Sequence, residues 1–204
     1  GNPDDKAALF AFNWQVSQEV PWTRSPGTFT ARMRRLKAEA GTAMYDAILL
    51  ASEALRDREG RHVIVVVTDG GDTVSSTDFH KALEAVHGAD AVIYPILTVP
   101  ITNDAGRNVG GENALTTFAL RTGGRVFSPT LGAEMDRAFD QILRDLRTQY
   151  LIGFYPKNVP LTKDRFHTLQ LRVTHPELHA ISRSGYYGEA LQDAAQPYSG
   201  SSEG

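Results

Sequence analysis

Apolar positions along this chain fall into short unbroken runs that alternate with longer stretches of helical periodicity. Residues 63–67 are five consecutive β-branched apolar residues, and residues 91–97 form a second apolar run. Runs without polar alternation are typical of parallel strands that helices cover on both faces. We therefore expect both strands to lie in the centre of a sheet, with residues 63–67 buried on both sides.

Helical periodicity fills most of the chain between and after these runs. Apolar residues recur at helical spacing in residues 28–37, 41–58, 78–87, 112–121 and 131–147. A short strand is predicted at residues 125–128, and residues 7–12 and 15–21 predict a hairpin that turns near Asn13 and Trp14. This order predicts an α/β fold: a doubly wound, mainly parallel sheet with helices on both faces and right-handed crossovers.

The pattern changes after residue 148. Residues 150–155, 166–173 and 178–182 are apolar runs separated by turn-forming residues, which predicts antiparallel strands. Residues 190–204 are rich in Ser, Gly, Ala and Gln, a composition typical of flexible tails. We divide the chain into an α/β domain (1–148), a β extension packed on it (149–188) and a flexible tail (189–204).

Candidate chemistry gathers where the first buried strand ends. Asp69 follows residues 63–67 almost directly, and ligands of open α/β sheets bind at the carboxyl ends of the strands. A turn or cap role for Asp69 is equally compatible with its position. Thr42, at the start of helix 41–58, either caps that helix or faces a ligand. Because this helix leads directly into the strand, Thr42 and Asp69 are predicted to share one rim of the sheet.

Further polar and small residues extend this rim. Gly41 and Gly70 flank the two candidate ligands, and Asn103 and Asp104 lie in a loop, residues 100–111, at the same carboxyl edge. Asp72 is close to Asp69 and fits a turn or helix cap better than a second ligand. We assign these five residues to a partner-binding rim.

The order of several short motifs resembles a known family. Gly-Thr-x-x-x-Asp-Ala begins at Gly41, and the strand that follows ends in Thr-Asp-Gly at residues 68–70. Arg-Thr-Gly-Gly-Arg-Val-Phe (121–127), Gln-Tyr-Leu-Ile-Gly-Phe-Tyr-Pro (149–156) and Ser-Arg-Ser-Gly-Tyr-Tyr (182–187) come next. On these residues the chain resembles the von Willebrand factor A domain, and within it the bacterial subgroup called VWFA-related. The resemblance covers roughly residues 5–187 and implies a Rossmann-like fold.

The resemblance also implies a metal site, of which part is missing here. The family binds its cation through an Asp-x-Ser-x-Ser loop after the first strand, together with a Thr and an Asp that Thr42 and Asp69 match. No Asp-x-Ser-x-Ser occurs in this sequence, and the nearest serine pair, residues 75–76, follows a different strand. Residues 4–12 resemble the family's second strand, so the chain is expected to begin after the first strand and first helix.

Two consequences follow from that missing segment. Mg²⁺ requires near-ideal octahedral oxygen coordination and dehydrates reluctantly, so Thr42 and Asp69 alone are expected to bind Mg²⁺ or Mn²⁺ weakly. The absent strand would be central to the sheet, and its loss exposes two strand edges. We therefore predict instability or self-association through these edges, for example by strand exchange with another copy.

Composition excludes several classes of function. The 204-residue chain has no cysteine, which excludes disulfides and thiolate metal sites, and its net charge of −3 provides no footprint for nucleic acid. No apolar run approaches the ~18 residues of a membrane span. Phosphate-binding glycine motifs and the Gly-x-Ser-x-Gly nucleophile elbow are both absent from the sequence.

These observations favour a non-enzymatic module of the adhesion type that binds a protein partner. In the intact protein, a divalent cation at the rim would be presented to an acidic group of that partner. The alternative is a structural or scaffold domain with a degenerate metal site, which binds partners without metal through a sheet edge or the β extension. Members of the VWFA-related subgroup are usually exported, so the resemblance implies an extracytoplasmic (periplasmic or secreted) bacterial location.

Overall fold

The structure is a computed structural model that describes residues 4–37, 39–98, 109–130, 132–157 and 165–188. Eleven elements lie in these ranges. In chain order they are β1 (Ala7–Phe12), β2 (Val16–Thr23), α1 (Pro26–Met33), α2 (Met44–Arg56), β3 (His62–Thr68), α3 (Phe79–Gly88), β4 (Ala91–Leu97), α4 (Val109–Thr122), α5 (Gly132–Arg147), β5 (Phe166–Thr168) and β6 (Gly185–Tyr187).

The amino-terminal hairpin is confirmed. β1 pairs antiparallel with β2, and the Asn13 side chain accepts a hydrogen bond from the Gln15 amide in the turn. The helix that follows begins at Pro26, where the fixed φ of proline suits the first turn. It ends at Met33 rather than at residue 37 as predicted. None of its residues is buried, so no core contact extends the helix into the basic residues that follow.

A parallel pair of strands, β3 and β4, forms the centre of the fold. The two strands pair in register from His62 opposite Ala91 to Thr68 opposite Leu97. The predicted strand at 125–128 is reduced to a single parallel bridge, in which Phe127 exchanges hydrogen bonds with the backbone of Pro95 and Leu97. Within the described residues β1–β2 forms a separate sheet, so the predicted doubly wound α/β sheet is present with fewer paired strands than expected.

Helices cover the two faces of this pair unequally. One face carries α2, α3 and α4, and the larger core cluster lies there. Its most deeply buried side chains are Met44, Ile48, Val86, Ile93, Leu115 and Phe118. The other face carries α5, whose Ala138 and Ile142 pack with Tyr94 and Ile96 of β4. This arrangement confirms an α/β fold with helices on both faces.

The prediction that residues 63–67 are buried on both sides is wrong for one face. Ile64 and Val66 point into the larger core, whereas Val65 and Val67 remain 37% and 45% exposed. Their neighbours across the pair, Tyr94 and Ile96, are buried on the same face. The reason is that α5 packs over β4, and no described element covers the outer half of β3.

The predicted carboxyl-terminal strands are also wrong in their extent. Residues 150–155 form no strand, and the two predicted strands that follow are replaced by the short pair β5–β6. The pairing stops at Thr168, and the following residues up to 182 are almost all exposed. The apolar residues in residues 169–182 therefore find no surface to pack against, and the predicted strands do not extend through them.

The β5–β6 pair is held against the ends of α3 and α4. The Ser184 amide donates to the carbonyl of Arg121 at 3.1 Å, and the Arg183 side chain pairs with Asp90 just after α3. The ring of His87 lies edge-on to Phe166 and Tyr187, with centroids 5.7 and 5.6 Å away. The β5–β6 pair thus contacts α3 and α4, while the division of the chain into domain, extension and tail remains a prediction.

Helix length sets one further limit. Among the described residues, no helix combines the length and apolar character that crossing a bilayer requires.

Candidate functional site

Two loops meet at the carboxyl end of β3 and form the predicted rim. The Thr42 amide donates to Thr73 Oγ1 at 2.9 Å, and the Thr73 amide donates to the Thr42 carbonyl at 2.9 Å. Asp69 lies in the same loop as Thr73, directly after Thr68 at the end of β3. These reciprocal hydrogen bonds place Thr42 and the loop of Asp69 on one rim, as the sequence predicted.

Thr42 does not cap α2. The N-cap position belongs to Ala43, which makes no side-chain capping bond, and the helix begins at Met44. Gly41, just before, has a φ of +86°, a left-handed conformation that glycine adopts without strain. The backbone of Thr42 is therefore used to join the two loops. Its hydroxyl makes no hydrogen bond with any residue that the structure describes.

Asp72 organises the loop from within. Its carboxylate accepts a hydrogen bond from the Tyr45 amide at 3.1 Å and another from the Ser75 amide at 3.2 Å. The Ser75 hydroxyl also donates to it. The first of these bonds satisfies a free amide in the first turn of α2, and the others close the turn at residues 72–75. Asp72 acts as a turn and cap residue, the role that its sequence position favoured.

Asp46, in the first turn of α2, plays the complementary part. Its two oxygens accept hydrogen bonds from the amides of Ser76 and Thr77, at 2.9 and 2.8 Å. Partial burial raises the pKa of Asp46, but the hydrogen bonds from Thr77 and Ser76 outweigh that effect and leave the pKa below its usual value. Hydrogen bonds in both directions therefore join the start of α2 to the loop after β3. Asp46 of α2 accepts from amides of the loop, and Asp72 of the loop accepts from an amide of α2.

Asp69 differs from both of these carboxylates. It is exposed, and it makes no hydrogen bond or ion pair with the residues that the structure describes. The loop is instead fixed on each side of it, since the Thr68 hydroxyl bonds the backbone of Gly70 at 2.9 and 3.2 Å. Asp69 is thus a free carboxylate on an ordered loop. The two remaining predicted rim residues, Asn103 and Asp104, lie outside the described part of the chain.

The donor set available to a cation is small. Asp46 and Asp72 direct their oxygens at backbone amides, which leaves the Asp69 carboxylate and the Thr42 hydroxyl as free oxygen donors. In the described ranges no cluster of three or more His, Cys, Asp or Glu side chains has the arrangement of a metal site. Octahedral Mg²⁺ needs six oxygen ligands, so beyond these two donors water or a partner would have to supply the rest.

Trp14 is a rim residue that sequence reasoning used only to locate a turn. It is 58% exposed, and its Cβ and backbone pack against Gly41, where a side chain would come within 3.1 Å of it. The Asn13 side chain donates to Glu39 at 2.7 Å, and the Trp14 indole donates to the same carboxylate at 3.3 Å. A large aromatic residue in a tight turn, where nothing can bury it, was the available signal.

The floor of the rim is a contact between two glycines. Gly111, in the first turn of α4, lies so close to Gly71 that a Cβ at residue 111 would collide with the Gly71 backbone. Both glycines are buried. The absence of side chains at this point lets the amino-terminal end of α4 rest directly on the loop that carries Asp69.

Comparison with known proteins gives one family match. The sequence model for the von Willebrand factor type A domain matches residues 1–71. The comparison with curated proteins finds no match.

Three solved structures resemble the fold. The SpRpn10 VWA domain has 17% identity and a TM-score of 0.48, over 69% of this chain and 73% of that chain. The conserved hypothetical protein BatB from Bacteroides thetaiotaomicron has 18% identity and a TM-score of 0.49, over 72% and 81%. An uncharacterized membrane spanning protein from Vibrio fischeri has 20% identity and a TM-score of 0.37, over 71% and 77%.

Proposed function

The chain carries a von Willebrand factor type A domain, and on this premise we propose that it is a non-enzymatic module that binds a protein partner at the rim. In the intact protein, a divalent cation held by Thr42 and Asp69 recognises an acidic group of that partner. The observation that carries this proposal is the carboxylate of Asp69, which has no partner among the described residues, whereas Asp72 on the same loop and Asp46 in α2 are both engaged by backbone amides.

The carboxylates of the rim differ in whether they bond the backbone of the rim itself. Asp46 and Asp72 accept hydrogen bonds from backbone amides and so stabilise the conformation of the loops. Asp69 is not needed for that purpose, and Thr42 keeps its hydroxyl free. A cation bound to so few protein ligands retains open coordination positions, and these attract a carboxylate from outside. Binding in this chain alone is accordingly expected to be weak.

Trp14 supports recognition of a macromolecular partner. An exposed tryptophan whose orientation is fixed loses little side-chain entropy on binding, and such residues are enriched among interface hot spots. The hydrogen bond to Glu39 orients the indole, and the Cβ and backbone of Trp14 lie against Gly41, beside the Thr42 loop. We assign Trp14 to the partner-binding surface together with Gly41, Gly70 and Asp72.

The first experiment measures the thermal midpoint of the chain in millimolar Mg²⁺ or Mn²⁺ and in EDTA. A ligand at ten times its dissociation constant stabilises the folded state by about 1.4 kcal/mol, which gives a readable shift. We expect a metal-dependent rise that is lost in Asp69→Ala and kept in Asp136→Ala, an exposed carboxylate on α5.

Each outcome of this experiment decides the role of the cation. A rise that survives Asp69→Ala would mean that the ion binds elsewhere and would overturn the assignment of Asp69. No rise at any concentration would mean that Thr42 and Asp69 do not hold a cation in this chain, and would leave cation binding to the intact protein or favour the metal-independent alternative. Tight 1:1 binding below the millimolar range would contradict the expected weakness and would imply ligands beyond Thr42 and Asp69.

A metal-independent scaffold domain is the second candidate function. It is favoured by the exposed apolar side chains on β3 and after α5, which offer binding surfaces that require no cation. Loss of partner binding in Asp69→Ala separates the two candidates, because the scaffold function should be insensitive to that substitution. We also propose the extracytoplasmic bacterial location that the resemblance implies, which fractionation of the native host would test.

A further inference from the structure

The turn that follows α1 carries basic side chains without acidic partners. Residues 34–37 (Arg-Arg-Leu-Lys) come directly after the last residue of α1, and all of them are exposed. The side chains of Arg34, Arg35 and Lys37 make no hydrogen bond or ion pair with the residues that the structure describes. By contrast, the nearest basic residue before them, Arg32, pairs with Glu19 of β2. We call Arg34, Arg35 and Lys37 the basic patch.

The backbone of the basic patch is ordered. The amides of residues 34, 35 and 36 donate to carbonyls in the last turn of α1, at 3.3, 2.9 and 3.2 Å. The positions from which the charged side chains leave are therefore fixed before any ligand binds. Binding then costs side-chain entropy alone, which is less than the cost of ordering a whole segment.

Contacts on both sides of the basic patch place it next to the rim. The ion pair between Arg32 and Glu19 holds the end of α1 beside β2. After the patch, Glu39 accepts a hydrogen bond from Trp14 in the turn of the β1–β2 hairpin. Trp14 in turn packs against Gly41 at the start of the Thr42 loop. The patch thus lies on the part of the chain that leads from β2 to the rim.

The distance from the basic patch to the candidate cation ligands is short. Thr42 is five positions after Lys37. An extended chain advances about 3.4 Å per residue, so the Cα atoms of these two residues are at most about 17 Å apart. An extended peptide of about six residues covers the same distance. One segment of a partner can therefore contact the rim and the basic patch at once.

Acidic side chains close to the basic patch do not neutralise it. Glu19 is paired with Arg32, and Glu39 accepts hydrogen bonds from the neutral side chains of Asn13 and Trp14. Residues 34–39 contain three basic residues and one acidic residue, a net charge of +2, whereas the whole chain has a net charge of −3. The patch is therefore a local positive region on a chain of negative net charge.

We propose that the basic patch binds an acidic segment of the protein partner, next to the group that the rim recognises. This inference rests on the protein-binding role proposed above. Guanidinium groups such as those of Arg34 and Arg35 bind carboxylates with two parallel hydrogen bonds, and Lys37 adds a third positive charge. Met33 and Leu36, which are 57% and 41% exposed, lie beside these charges. The segment that fits has Asp or Glu interspersed with apolar residues.

The size of the basic patch favours a short peptide over a polyanionic surface. Attachment to anionic membranes through basic residues uses clusters of about 4–8 Lys or Arg, and binding to nucleic acid uses a broad basic face. The patch has three basic residues, and the net charge of −3 repels an extended polyanion. A short acidic segment contacts only the local positive region, so this repulsion affects it less.

Fluorescence anisotropy with a labelled acidic peptide tests this proposal. The probe is a short peptide of Asp, Glu, Leu and Gly, and its control peptide has Asn and Gln in place of the acidic residues. In EDTA at low ionic strength, we expect the full chain to bind the acidic peptide and not the control. The dissociation constant should rise about tenfold in Arg34→Glu/Arg35→Glu, because two exposed attractions become repulsions.

Arg56→Glu/Arg137→Glu is the matched control variant. It changes the net charge by the same amount, at exposed positions on α2 and α5, and Arg56 lies at the end of α2 that is opposite to the rim. This variant should leave peptide binding unchanged. Salt at about 1 M, where the screening length is about 3 Å, should remove the effect of Arg34→Glu/Arg35→Glu. Equal weakening in both double variants would show that net charge alone attracts the peptide and would overturn the proposal, as would a wild-type chain that does not bind the peptide.

Mg²⁺ separates this result from that of the cation site. Asp69→Ala should remove only the gain in peptide affinity that Mg²⁺ provides, whereas Arg34→Glu/Arg35→Glu should lower the affinity in EDTA as well. A loss seen only in Asp69→Ala would refute the basic patch and leave the cation site standing. A loss seen only in the arginine variant would support the patch and count against the cation. Binding of phosphatidylserine vesicles in place of the peptide would assign the patch to a lipid surface and refute the proposal.

Discussion

Acidification should weaken the attachment of the β5–β6 pair through the ring of His87. The Nε2 atom of this histidine is buried and has no hydrogen-bond partner among the residues that the structure describes, and the ring lies edge-on to Phe166 and Tyr187. Burial is the main cause that lowers the pKa of His87 to about 4. The positive charges of Arg183 and Arg121 lower it further, and Asp90 opposes them.

The sign and size of the effect follow from this shift. An unfolded chain takes up the proton near pH 6.5, whereas the folded chain resists it until about pH 4. The stability that the neutral ring provides is therefore complete above pH 6.5 and is lost as the pH falls towards 4. For a fully buried group, a pKa shift of this size changes the free energy of unfolding by about 3 kcal/mol. Because the ring is partly exposed, we expect a loss of roughly 2 kcal/mol.

The comparison of wild type with His87→Phe isolates this contribution. Phenylalanine preserves the ring contacts and cannot be protonated, so its free energy of unfolding should fall less between pH 7 and pH 4. Denaturant titrations at several pH values measure the difference, with His175→Gln, at an exposed position, as the control substitution. Identical pH profiles for wild type and His87→Phe would show that the ring is protonated freely and would refute the reasoning.

Two further substitutions test the core and the loops. Phe118→Ala should lower the free energy of unfolding by about 3–5 kcal/mol, since the side chain is fully buried, whereas Leu120→Ala, two residues away and exposed, should change it by less than about 0.5 kcal/mol in the same denaturant titration. Asp46→Asn should cost about 1–2 kcal/mol at neutral pH, because asparagine has a single acceptor oxygen: one of the Ser76 and Thr77 amides loses its partner, and the bond that remains loses its charge. Since the pKa of Asp46 is lowered in the folded state, that cost should disappear as the pH falls through the folded pKa; a cost that persists in acid would contradict it.

Local patterns predicted the centre of the fold well. β4 has the predicted bounds of residues 91–97, and α5 ends at the predicted Arg147. Both elements are surrounded by partners that their own apolar pattern implies, so local and tertiary preferences agree. The burial of residues 63–67 was predicted incorrectly for one face of the strand. A continuous apolar run indicates only a preference for burial. Coverage by neighbouring elements decides whether that preference is satisfied, as Val65 and Val67 show.

The sequence predicted which residues lie near one another at the rim, and it did not predict the hydrogen bonds that each of them makes. Spacing along the chain indicated that Thr42 and Asp69 share an edge, since a helix–strand unit returns the chain to the same side of the sheet. The sequence did not show which carboxylates would accept hydrogen bonds from backbone amides. This depends on contacts between residues about thirty positions apart, such as the bond from the Asp46 amide to the Ser75 hydroxyl. No local pattern encodes such pairings, so Asp46 and Trp14 emerged only from the structure.

The contact between Gly71 and Gly111 fixes how closely α4 approaches the loop of Asp69. The 14-residue helix is about 21 Å long, and backbone meets backbone at its first turn with no side chain between them to repack. At its far end, the Arg121 carbonyl holds the amide of Ser184. A side chain at residue 111 would therefore have to separate α4 from the Asp69 loop, because the atoms that it would meet are backbone atoms of residues 70 and 71.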